Sequence, residues 1–137
     1  STALAPREAF ARVGPFDESL PRLEDLDWFL RLSLAGGGVA TWPGIGAEVH
    51  VGGRPSVERL DRAAELLRRK WLGPQSPLPP PLRRSLDAYL ELEQASVRYH
   101  SGRFGPFLWR LGRSLLLRPR LGLPLRDWWR TSPPSPQ

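Results

Sequence analysis

Three carboxylates fall within four residues, at Glu24, Asp25 and Asp27, inside the stretch FDESLPRLEDLDWFLRL that runs from residue 16 to residue 32. A carboxylate within hydrogen-bond reach of a hydroxyl can take its proton as the oxygen attacks an electrophile, which makes each a candidate general base. The same residues have a plainer use. Acids in the first turn of a helix are stabilised by the macrodipole by roughly 0.3–1 kcal/mol each, and Arg31 stands four residues after Asp27, the spacing of an ordinary ion pair along a helix. His50 is the second candidate, because imidazole titrates near neutrality and binds metals. A single His after a strand is nevertheless commonly structural. His100 has no chemical company and reads as a surface residue. The chain contains no Cys, so thiolate metal sites and a disulfide framework are excluded.

These groups need elements to hold them. Residues 7–13 (REAFARV) predict a short helix stopped by Gly14-Pro15. Leu23, Leu26, Leu30 and Leu34 recur at steps of three and four, predicting a helix near 24–35 with a buried leucine stripe, ended by Gly36-Gly37-Gly38. Those glycines terminate a helix and do not form a phosphate loop. Residues 38–51 (GVATWPGIGAEVHV) are β-branched and partly alternating, which predicts one or two short strands around 39–51. Ser56 should cap a helix near 56–72, in which Val57, Leu60, Ala64, Leu67 and Trp71 keep a regular apolar stripe. Five of the eight residues in 74–81 (PQSPLPPP) are Pro, an extended linker. Leu82, Leu86, Tyr89/Leu90 and Val97, then Phe104, Phe107/Leu108, Leu111 and Leu115, predict a helical hairpin within 82–118 broken at Ser101-Gly102. The final TSPPSPQ has the composition of a disordered end.

Charge is unevenly placed. Residues 1–72 carry ten basic and ten acidic side chains, whereas residues 73–137 carry ten basic and four acidic, so the second part holds the whole net charge of +6. Nineteen of the twenty cations are Arg, and Lys70 is the one Lys. Arg suits phosphates, but a skew this uniform is more simply the codon bias of a GC-rich genome. Residues 95–130 combine eight Arg and one acid, Asp127, with Trp109, Trp128, Trp129, Phe104 and Phe107. Such a segment can lie on an anionic membrane surface or bind nucleic-acid phosphates while its rings stack on bases. It can also be a hairpin whose apolar faces pack inward with solvated arginines. No nucleic-acid motif accompanies it, which disfavours the second reading. No apolar run reaches the roughly 18 residues of a membrane span.

The order of residues carries more than any pair does. Arg7-Glu8-Ala9-Phe10, Val13-Gly14-Pro15-Phe16-Asp17-Glu18, Glu24-Asp25-Leu26-Asp27-Trp28, Leu30-Arg31-Leu32 and Gly36 together resemble the second half of family 2 glycosyltransferases of the GT-A fold. Glu48-Val49-His50 followed by the Ser56 helix is similar to the segment that follows it there. The likeness covers residues 1 to about 72. It implies inverting transfer of a sugar from a nucleotide-sugar donor to a glycan or lipid-linked acceptor hydroxyl, in envelope or surface glycan synthesis. Asp25 falls on the base of that family. Glu24 then orients the acceptor or its loop, Trp28 gives an apolar wall, and Arg31 holds the acidic cluster, Asp27 included, together. His50 falls near the donor diphosphate or its divalent cation, expected to be Mg or Mn in the intact parent. The donor-binding half and its Asp-x-Asp metal motif are not among these residues, so the fragment alone should be inactive.

The resulting expectation is an α/β fold, a helix-rich GT-A fragment followed by a helical tail. Its parts are the C-terminal half of a catalytic domain (1–73), a Pro-rich linker (74–81), a basic hairpin (82–130) and a disordered end (131–137). It would be cytoplasmic, peripheral at the inner face of the cell membrane through residues 95–130. The alternative is a non-catalytic basic helical module that binds anionic membrane or nucleic acid.

Overall fold

The computed structural model describes residues 4–40 and 56–119. They form five helices: α1 (Arg7–Val13), α2 (Glu24–Leu34), α3 (Val57–Trp71), α4 (Pro80–His100) and α5 (Phe104–Leu117). The chain divides into two compact units, Ser1–Lys70 and Trp71–Gln137.

In the first unit, α1 starts after Pro6, whose φ of −66° and ψ of 151° hold the chain extended before the first turn. It stops at Gly14, where φ 80° and ψ 175° define a conformation open essentially to glycine alone. The chain then turns through Asp17-Glu18-Ser19, where Asp17 Oδ1 accepts from the Ser19 N–H at 3.1 Å and its hydroxyl at 2.6 Å. α1 packs on α2 through Ala9, Trp28 and Leu32, with Ala5, Phe10, Val13 and Phe29 around them. The Trp28 ring lies 4.8 Å from that of Phe10 and 5.9 Å from that of Phe16. Its indole N–H donates to the Gly14 carbonyl at 2.9 Å, so the buried ring also satisfies the end of α1. Ser56 caps α3 by accepting from the Arg59 N–H at 3.3 Å. Along α3 the predicted stripe is buried throughout: Val57, Leu60, Ala64, Leu67 and Trp71.

The α/β expectation is corrected. The described residues are all-helical, without a strand, and this is not a GT-A-like α/β fragment. Residues 38–40 have no regular structure, and the rest of the segment read as strands, 41–51, lies outside the described residues. What the described chain supplies is three- and four-residue apolar spacing, and that pattern is satisfied by helix-on-helix burial. The leucine stripe of α2 is corrected too. Leu34 is 45 % exposed and Leu26 and Leu30 are half-buried, while Leu23, Asp27, Trp28 and Leu32 are buried. At about 100° per residue, the inward face is turned by roughly 100° from the leucine line.

The second unit is a helical hairpin with a short lead-in. Within the Pro-rich stretch 74–81, Leu78 is buried, and Pro80 and Pro81 already belong to α4. Two prolines fit the first turn because the N–H groups they lack have no partner in a helix. Gly102, at φ 72°, reverses the chain between α4 and α5. The helices run antiparallel: Arg110 reaches Glu91, Ser114 reaches Ala88, and Arg118 reaches Ser85. Their seam is polar at its centre. Arg110 Nη1 lies 2.9 Å from both Glu91 Oε2 and Gln94 Oε1, and the buried Ser114 hydroxyl donates to the Ala88 carbonyl at 2.8 Å. Facing residues of α5 are Phe107, Leu111 and Ser114; Phe104 and Leu108, read from the sequence as part of the packing line, are exposed.

Candidate functional site

The acidic turn is placed by an unusual residue. Leu23, buried, has φ 62° and ψ 24°, a left-handed conformation that costs a bulky side chain energy. It occupies the N-cap of α2 without a side-chain oxygen to offer, and its carbonyl accepts the Asp27 N–H at 3.2 Å. Asp25 supplies an acceptor instead, with Oδ1 2.8 Å from the Leu26 N–H. Strain of this kind, just before a pair of acids, is the sort of feature that gathers at functional sites.

The three carboxylates of the turn have different surroundings. Glu24 is exposed and Asp25 half-buried. Asp27 has no exposed surface and is held by two cations. Arg31 Nε lies 3.0 Å from its Oδ2, and Lys70 Nζ lies 2.9 Å from Oδ1. Arg31 also donates to the Val13 carbonyl and, at 2.7 Å, to the Pro15 carbonyl, so one side chain ties α2 to the end of α1. Lys70 reaches Asp17 Oδ2 as well, at 2.8 Å. The hydrogen bond from Lys70, aided by those from Ser19, brings the Asp17 carboxyl down to about 2. On Lys70 itself, partial burial disfavours the charge, but the bonds to Asp17 and Asp27 outweigh it and raise the pKa.

The structure therefore brings Glu24, Asp25, Asp27, Trp28 and Arg31 onto one helix and gives them separate tasks. Trp28 is core, 2 % exposed, and the aromatic surface left open beside it is Phe16. Arg31 holds the cluster and the preceding loop. His50 lies outside the described residues. Sequence reasoning missed Lys70, which joins the acidic turn to α3; the available signal was that it is the only Lys among nineteen Arg. Asp17, which stood there only within the ordered run, is the other partner of Lys70.

Among the described residues no three His, Asp or Glu side chains come together as a metal site. Where Asp17 and Asp27 approach each other, the Lys70 ammonium stands between them. In the second unit, a cavity of about 410 Å³ lies between the start of α4 and the end of α5, lined by Pro80, Pro81, Arg84, Ser85, Leu117 and Arg118. It contains none of the acidic residues. No helix among the described residues is long and apolar enough to cross a membrane. No family model, curated protein or solved structure matches this chain.

Proposed function

We propose that the first unit belongs to an inverting glycosyltransferase, with Asp25 as the base that takes the proton from an acceptor hydroxyl. The acceptor oxygen then forms its bond to the anomeric carbon as the bond to the donor diphosphate breaks, and the diphosphate leaves with the electron pair. The observation that carries this reading is the division among the carboxylates. Asp27 is spent on Arg31 and Lys70, whereas Asp25, the second residue of α2, is half-buried beside a turn fixed by left-handed Leu23. Support also comes from the ordered run from Arg7 to Gly36, which places a Glu-Asp pair where such enzymes keep their base. Glu24, exposed and one residue earlier, points about 100° away around the helix and serves to orient the acceptor.

The test uses the protein encoded by the complete reading frame, assayed for transfer from a panel of nucleotide sugars. Asp25→Asn keeps size and removes basicity. Turnover should fall by the roughly 10²–10⁴-fold typical of general-base loss, with donor binding intact. Full turnover by Asp25→Asn, or no sugar transfer by the unaltered protein, would overturn the proposal.

A further inference from the structure

On α5 the expected arrangement of a basic amphipathic helix is reversed. Arg110 and Arg113 turn toward α4, where Glu91 accepts from Arg110 at 2.9 Å and pairs with Arg113 at 3.6 Å. The outward face is apolar: Phe104 is 58 % exposed, Leu108 63 %, Trp109 69 % and Leu116 84 %. Gly105 and Gly112 lie on the same face, with nothing within 4 Å of where a Cβ would stand. At about 100° per residue these six positions span an arc of roughly 140°. No charged side chain falls within it. Arg103 and Arg118 stand just before and just after the helix, and residues 101–119 contain four Arg and no acid.

We infer that this face of α5 docks on an anionic lipid surface, lying in the plane of the headgroups with Trp109 and Phe104 at the interface. The inference does not depend on the proposed transfer chemistry. Charge complementarity selects the occupant, since an apolar face flanked by arginine, on a helix without a carboxylate, matches acyl chains bordered by anionic headgroups. A second copy of the chain would bring two arginine-flanked faces together with no carboxylate on either helix. Single-stranded nucleic acid calls for cations interleaved with the stacking rings, and here leucine and glycine fill those places. The helix lies on the bilayer and does not span it, because its 14 residues reach only about 21 Å, against a hydrocarbon core of about 30 Å.

The experiment measures partitioning of the full chain onto vesicles of phosphatidylcholine mixed with phosphatidylglycerol, beside pure phosphatidylcholine. Binding should favour the anionic vesicles and weaken as salt rises from about 0.01 to about 0.15 M, where the Debye length shrinks from about 30 to about 8 Å. The double variant Leu108→Ser/Trp109→Ser should lose about tenfold or more of the partitioning. Arg103→Gln should lose about fivefold. Far-UV circular dichroism should be unchanged in each, because all three side chains are exposed. Equal retention on neutral vesicles, no retention on anionic ones, or undiminished binding by the double variant overturns the inference. So does a dimer in solution that Leu108→Ser/Trp109→Ser dissociates, or a labelled single-stranded oligonucleotide that binds in preference to the vesicles.

Discussion

Lys70 Nζ lies 2.9 Å from Oδ1 of Asp27, a carboxylate without exposed surface, and the two residues are 43 positions apart in the chain. Arg31, on the same helix as Asp27, gives that carboxylate a local partner, but Lys70 is what connects it to α3. A buried anion with strong partners is costly to strip of them, since the survivor keeps its desolvation penalty.

The first prediction concerns this pair. Asp27→Asn leaves two cations facing a neutral amide and should lower stability by about 2–4 kcal/mol in urea denaturation. Lys70→Met should cost less, about 1–2 kcal/mol, because the Lys70 side chain is 38 % exposed and Arg31 remains on Asp27. If Asp27→Asn unfolded within about 0.5 kcal/mol of the unaltered protein, the central place given to this carboxylate would be wrong.

Acid should release the Asp17 contact only at low pH. Its carboxyl is lowered from 3.8 to about 2, so its contribution to stability is complete above pH 3.8 and disappears as pH falls through about 2. Lys70, whose pKa is raised above 10.5, works in the opposite sense: its contribution is complete below 10.5 and is lost only as pH rises past its folded value. Thermal melts of the unaltered protein and Asp17→Asn should show a constant gap at neutral pH that closes between pH 3.8 and about 2. A gap of equal size at both ends of that range would contradict the Lys70–Asp17 bond.

Two glycines should respond to alanine in opposite directions. Gly14→Ala must place a Cβ on a residue at φ 80° and ψ 175°, and should cost about 1–3 kcal/mol. Gly112 is helical with open space around it, so Gly112→Ala should stabilise by about 0.5–1 kcal/mol. Thermal denaturation of both variants checks the pair, and a loss at Gly112 would mean that α5 is packed on that side.

Helix limits were legible in the sequence because glycine and proline act locally. Gly14, Ser56, Gly73-Pro74 and Gly102 mark ends that the helices respect, and the α3 stripe from Val57 to Trp71 is buried as its spacing predicts. The inward faces of α2 and α5 were not legible. On α2 the leucine spacing puts Leu26, Leu30 and Leu34 inward, yet Asp27 is the buried residue, with Lys70 reaching it from far along the chain. On α5 arginine reads as solvated, yet Arg110 turns inward because Glu91 and Gln94 stand on the facing helix. In both places a long-range ion pair decided which side of the helix was inside, and periodicity carries no information about distant partners. The acid pair of the candidate site was visible as Glu24-Asp25, but its division of labour with Asp27 needed the third dimension.

The position of Lys70 has a consequence for how the protein is made. A ribosome releases α1 and α2 long before residue 70 emerges, so during that interval Asp27 has Arg31 as its only cation of the pair found in the folded unit. The first unit can close around its acid only when its last residue, Lys70, has been made. The hairpin follows a different schedule. Its ties between α4 and α5 span only 16 to 33 residues, and each is available within about one helix of further synthesis. Contacts of short sequence separation form fastest, so the half of the chain that is translated second is the half equipped to fold without waiting.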